Sequence, residues 1–244
     1  MALTKVDQTM VSDQVFGRRN LFINGKMQVA QRAATATSQT GTGYHTVDRW
    51  EIAMSSAGTW DISQSTTVPS GEGFAYSQKI DCTTADSSLD ASNYLIFLTA
   101  LEGQNLQHLK YGTSSAEKLT LSFWVRSAKT GTYVVEFINA HTSGNRTQSQ
   151  SYTISSANTW EKKELTFPAD TGGGGIDNDN GSGLEIYWVV ARQQGYQGTA
   201  STTWDDNADP RFANLCTATI FENTNDHILF TGIQLEVGSQ ATAF

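Results

Sequence analysis

Two groups of acidic residues have the spacing that hydrolytic chemistry could use. Asp205, Asp206 and Asp209 form one, and Glu161 with Glu164 forms the other. Glycoside cleavage needs two carboxyl groups flanking the scissile bond, so either group is a candidate pair. Adjacent surface acids are also the ordinary decoration of a solvated loop or strand. The four histidines, His45, His108, His141 and His227, have no metal-ligand spacing, and none sits beside a cysteine. No Gly-x-Ser-x-Gly elbow occurs, and the glycines at 172–175 do not lead into a Lys-Ser/Thr helix start, so a phosphate cradle is excluded.

Asp177-Asn-Asp179-Asn-Gly181 offers hard oxygen donors of the kind calcium takes. Position twelve counted from Asp177 is Trp188, so an EF-hand is excluded. A loop calcium at Asp177 and Asp179 and a plain Asn/Asp/Gly turn both fit. No other cofactor is expected. Six tryptophans lie on or beside predicted strands. Indole faces stack on apolar surfaces and carry a polar handle at one edge. Trp124 alternates away from the apolar row of its strand, and Trp204 sits beside Asp205 and Asp206. Trp124, Trp204, Asp205 and Asp206 are therefore the candidate carbohydrate contacts.

These residues must be positioned by strands. Leu119, Leu121, Phe123 and Val125 alternate with Thr120, Ser122, Trp124 and Arg126, and period two marks a strand with one buried face. Lys129-Thr-Gly-Thr predicts a turn and Tyr133–Asn139 a returning strand, giving a hairpin or near-hairpin. Ser151–Ile154 and Trp160–Phe167 predict a second pair, with the opposed charges of the latter on a solvent face. Further strands are expected at 20–25 (with a turn on Asn24-Gly25), 47–54, 59–63, 75–83, 94–100, 184–192, 214–221 and 226–237. In the last, the slip at Thr231-Gly232 predicts a bulge. Residues 170–183 and 193–210 read as loops, and 103–110 as a loop or a single helical turn.

About ten short strands without a long linker or a repeat predict an all-β, antiparallel two-sheet sandwich or jelly roll. The rows led by Leu119 and Leu184 should share its core. Cys82 and Cys216 read as buried thiols, with a disulfide only if their strands are neighbours. Residues 1–19 differ: they are polar, with isolated apolar side chains at Val6, Met10, Val11, Val15 and Phe16. An arm that orders against a partner fits this pattern, and so does a frayed terminus. The expected division is thus an arm at 1–19 and a β-sandwich at 20–244.

Composition narrows the partners. The net charge is −8, and only Arg18-Arg19 and Lys162-Lys163 are compact basic pairs, so no nucleic-acid partner is expected. No apolar run reaches spanning length, so no membrane insertion is expected. The N-terminus lacks the pattern of a signal peptide, which predicts synthesis without secretory export.

Several ordered segments carry a resemblance. They are Asn20-Leu-Phe-Ile-Asn-Gly through Arg32, Tyr44-His-Thr-Val-Asp-Arg-Trp50, Leu121-Ser-Phe-Trp-Val-Arg126 with Lys129–Tyr133, Tyr152–Lys163, Phe167-Pro-Ala-Asp170, and Thr231–Gly238. Together they resemble a β-sandwich, carbohydrate-binding-like jelly-roll domain of bacteriophage virion and tail-fibre proteins. The resemblance implies a virion location, a short fibre or tail-fibre-like role, a homotrimer, and attachment to other tail or capsid proteins through residues 1–19. It also implies contact with host surface polysaccharide, and it supplies no catalytic residues. The short leading segment, in place of a long shaft, favours a compact fibre or appendage. A capsid decoration protein without sugar binding and a depolymerase-like glycosidase remain the alternatives.

Overall fold

The computed structural model describes residues 20–55, 58–86, 93–142, 144–192, 201–206 and 223–244. Eleven strands lie among them: β1 (Thr35–Gln39), β2 (Glu51–Ser55), β3 (Thr59–Ser65), β4 (Ser77–Thr84), β5 (Tyr94–Glu102), β6 (Leu119–Ser127), β7 (Gly131–Asn139), β8 (Arg146–Ile154), β9 (Glu161–Phe167), β10 (Ser182–Arg192) and β11 (His227–Val237). They form two antiparallel sheets. The first runs β1-β3-β4-β11-β6-β9 and the second β2-β5-β10-β7-β8. The protein is an all-β two-sheet sandwich, as the alternating pattern predicts. Residues 1–19, Asp209, Cys216 and the strand expected at 214–221 lie outside the described residues.

The inner face of β6 (Leu119, Leu121, Phe123, Val125) and that of β10 (Leu184, Ile186, Trp188, Val190) are fully buried in one cluster. Trp188 is its centre. Its ring lies within 6.4 Å of those of Phe22, Trp50, Phe97, Phe123 and Phe230, with Phe123 edge-on at 5.9 Å. Aromatic edges against faces add packing energy beyond burial alone. Phe137 of β7 and Phe167 of β9 stack across the two sheets. Cys82 is a buried free thiol, and burial followed by the charges of Asp226 and Asp81 pushes it up to about 11. On the outer face of the second sheet, Ile96, Leu98, Val134 and Val189 form a smaller buried cluster.

Both expected hairpins are arches instead. β6 pairs with β11 and β9, whereas β7 pairs with β10 and β8. The chain at Ala128–Thr130 therefore crosses from one sheet to the other, and the chain after Ile154 crosses back to β9. Alternation specifies which face a strand buries, but not which sheet its successor joins. Side chains hold each arch. Tyr133 Oη lies 2.8 Å from Ser127 Oγ and donates to the Lys129 carbonyl at 2.9 Å. Glu161 accepts from the N–H groups of Ser155 and Ser156, each at 2.9 Å, and pairs with Lys163 at 2.6 Å. Burial raises the Glu161 carboxyl, but Lys163 and the two N–H donors prevail and hold it below the usual carboxylate range.

Smaller corrections concern the first half of the chain. Residues 20–25 form no strand, although the turn at Asn24-Gly25 is present, with Asn24 at φ 61°. Residues 47–50 form a turn closed from Trp50 N–H to the Val47 carbonyl, so β2 begins only at Glu51. β1, polar on both faces, gave no alternation to read. Residues 103–105 and 107–109 make two short 3-10 turns.

Candidate functional site

The outer face of the first sheet is built by the polar parity of three neighbouring strands. Thr120 faces Glu236 and Thr166 across its two partners, Ser122 faces Gln234 and Glu164, and Trp124 faces Thr231 and Lys162. Trp124 is thus the one aromatic side chain among these pairs, with the buried Leu229 next to it on the same face, opposite Arg126. It is half-buried, and its indole makes no hydrogen bond among the described residues.

A groove of about 240 Å³ opens over this indole. Its floor is Ser122, Trp124 and Gly232. One wall is Glu72 and Phe74, from the β3–β4 connection, and another is Thr242, Ala243 and Phe244; Lys162 stands at the rim. The bulge in β11 sets the floor. Thr231 pairs with Trp124 and Gln234 with Ser122, so Gly232 and Ile233 together oppose Phe123. Gly232 has φ 59°, and a Cβ there would lie 2.5 Å from the Phe74 ring.

The residues after β11 fold back over the sheet and are tied down. Thr242 donates through N–H and Oγ1 to the two carboxylate oxygens of Glu236, at 2.8 and 2.6 Å. Gln234 Nε2 donates to Thr242 Oγ1 at 3.2 Å. Phe244 then meets Phe74 edge-to-face at 5.5 Å, and Lys26 Nζ lies 5.0 Å over the Phe244 ring. The groove therefore offers the Trp124 face flanked by two phenyl rings, a free indole N–H, the carboxylate of Glu72, the ammonium of Lys162 and the hydroxyls of Ser122 and Thr242. That set suits a ring with one apolar face and polar substituents at its edge.

The structure does not bring Trp204, Asp205 and Asp206 to this groove. Trp204 packs against the core, donates its indole N–H to the Pro168 carbonyl at 2.8 Å, and meets Tyr111 edge-on at 5.6 Å. Asp205 bridges Thr147 through its backbone. Asp206 pairs with the Arg146 guanidinium, whose Nε is held at 2.9 Å by the fully buried Asp170. Asn139 donates to the same carboxylate at 2.9 Å. Burial opposes the charge on Arg146, but Asp170 and then Asp206 raise its pKa further.

Asp177 and Asp179 are also engaged by protein donors. Asp177 accepts from the Thr142 N–H at 2.9 Å and lies 3.3 Å from His141 Nε2. Asp179 accepts from the Gly181 N–H at 2.9 Å, closing an Asx turn. Among the described residues, no three His, Cys, Asp or Glu side chains come together as metal ligands. Glu161 and Glu164 are tied to Lys163 and Lys162.

Parity alone pointed to Trp124. Phe74, Phe244 and Glu72 carried no signal, because nothing in a sequence says which loop folds over which sheet face.

No protein-family model matches the chain, and no curated protein is detectably similar in sequence. Solved structures align over most of this chain at low identity and low TM-score. The enzymatically active domain of tailspike protein 4 from bacteriophage CBA120 aligns at 14% identity and TM-score 0.45, over 90% of this chain and 21% of that one. A putative sugar-binding protein from Bacteroides thetaiotaomicron aligns at 11% identity and TM-score 0.45, over 89% and 99%. The carbohydrate-binding module TmCBM61, solved with β-1,4-galactotriose, aligns at 11% and 0.41, over 90% and 99%. The chain thus spans about a fifth of the tailspike domain's length.

Proposed function

We propose that this chain is a non-catalytic, glycan-contacting β-sandwich exposed on a phage particle as a short fibre or tail-fibre-like subunit. The observation that carries the glycan reading is the Trp124 groove: a half-buried indole with an uncommitted N–H, set among the polar side chains of Ser122, Glu72, Lys162 and Thr242. A buried core tryptophan would have no such opening. Glu72 is the one carboxylate among the described residues lining the groove, and glycoside cleavage needs two. The site is therefore built for contact.

The resemblance of the ordered segments to phage virion sandwiches supports the particle role, with residues 1–19 as the attachment arm and a homotrimer as the assembly. Three copies would give avidity to a contact that is weak in each.

Trp124→Ala tests the glycan reading. We expect it to lower binding to host surface polysaccharide by roughly 10- to 100-fold, the scale of one lost stacking contact of about 1–3 kcal/mol, with an unchanged melting temperature. Retained binding would refute the assignment of the groove. The arm is tested by removing residues 1–19. Asn20 ties itself to β11, donating to the Ile233 carbonyl at 3.0 Å and accepting from the Leu235 N–H at 2.9 Å. The shortened chain should therefore fold with the same melting temperature yet no longer assemble onto particles. Normal assembly of the shortened chain would sink the docking role.

A further inference from the structure

The charges around the groove narrow the ligand. Glu72 stands exposed at one wall and has no ion-pair partner among the described residues. At the rim, Lys162 is neutralised by Glu164 at 2.9 Å. Beneath the opposite wall, Glu236 is buried and holds Thr242 with both oxygens. Lys26 lies over the outer ring of that wall, Phe244. With Lys162 and Glu164 cancelling each other, the carboxylates of Glu72 and Glu236 remain around the opening against the single ammonium group of Lys26. The chain as a whole carries −8. Such a field disfavours an approaching anion and favours hydroxyl donors to the free carboxylate.

We infer that the groove selects an uncharged sugar ring over uronate, sialate or sulfated rings, and that Glu72 is the residue that sets this choice. The inference rests on the glycan reading of the Trp124 groove. The ring lies with its apolar face on Trp124, and one of its hydroxyls donates to the Glu72 carboxylate. A volume of about 240 Å³ is below that of sites for drug-sized ligands, so one ring is held and the rest of the glycan stays outside.

Discrimination arises from two effects. A carboxylate on the bound ring would face Glu72 at short range, where like charges repel even across solvent and most strongly at low salt. A missing hydroxyl would leave Glu72 without its donor but still solvated, so its loss is the milder of the two. Glu72 is consequently a gate against charge more than a source of affinity.

The experiment is a glycan array carrying neutral, uronate, sialylated and sulfated oligosaccharides, probed with the full-length wild type, Trp124→Ala, Glu72→Gln and Glu72→Lys. Titration calorimetry then follows on the best neutral oligosaccharide and its uronate counterpart. Wild-type protein should bind the neutral ligand at least tenfold more tightly. Glu72→Gln should reduce that preference several-fold, Glu72→Lys should abolish or reverse it, and Trp124→Ala should lose binding to every ligand. The preference should also shrink as salt is raised. Equal wild-type binding of neutral and uronate ligands, both lost on Trp124→Ala, would overturn the inference while leaving the groove a glycan site. Binding that survives Trp124→Ala, or no binding to any glycan, would remove the reading beneath it. Because Glu72 is exposed on a loop, its variants should fold normally, and an unchanged melting temperature verifies this.

Discussion

Asp170→Ala is expected to lower the unfolding free energy by about 3–5 kcal/mol, because it leaves a buried charge without its partner. For a domain of this size that shifts the melting temperature by roughly 10 °C. Asp170 is fully buried, and its carboxylate accepts from Arg146 Nε at 2.9 and 3.1 Å and from Asn139 Nδ2 at 2.9 Å. Its backbone carbonyl also accepts from the Gly112 N–H at 2.8 Å. One residue therefore joins β7, β8, the turn at Gly112 and the glycine loop, whose Gly172 N–H donates to it at 3.3 Å. Without the carboxylate, Arg146 keeps Asp206, whose side chain is 79% exposed and heavily screened, and a long hydrogen bond of 3.4 Å to the Trp204 carbonyl. Asp206→Ala should accordingly cost less than about 1 kcal/mol. Urea unfolding of the two variants separates them. Equal losses would mean that the outer pair, not the inner one, anchors this end of the sandwich.

This ion cluster shows what the sequence could not disclose. Arg146 and Asp170 are separated by 24 positions and have no spacing motif, because their meeting depends on β8 lying at the edge of one sheet while the 168–176 loop descends from the other. The neighbouring Trp204, Asp205 and Asp206 looked like an exposed aromatic–acid triplet. In the structure the indole N–H is taken by Pro168 and one acid is taken by Arg146. The period-two rows of β6, β10 and β11 were legible because parity is a local property: each inner residue stays inner whichever strand lies beside it. The hairpins were misread for the same reason, since parity is silent about sheet membership. The outward placement of Trp124 follows from parity and needs no tertiary knowledge. The walls around it come from residues near 72 and 244, and only the folded sheet brings them together.

The bulge that parity did reveal carries the second large effect. Gly232→Ala is expected to cost about 2–5 kcal/mol in stability. A side chain at φ 59° costs about 1–2 kcal/mol in the left-handed region, and crowding in a packed contact adds about 1–3 kcal/mol. The new methyl would lie 2.5 Å from Cζ of Phe74, so the ring must leave the bulge. Phe74 is also the partner of Phe244 at 5.5 Å, and its departure removes one wall and loosens the other. Ligand binding should thus fall together with stability, unlike in Trp124→Ala, where binding alone falls.

A double-mutant cycle by urea unfolding apportions the cost. In a Phe74→Ala background the crowding is gone, and Gly232→Ala should cost only the backbone part, about 1–2 kcal/mol. If the two changes are strictly additive, Phe74 does not rest on the bulge. The bulge has a second duty that makes the backbone part costly. Its next residue, Ile233, turns inward, donates its N–H to the Gly25 carbonyl at 3.0 Å and accepts from Asn20. The extra residue in β11 therefore positions both the groove floor and Asn20, so a strained Gly232 should disturb both places together.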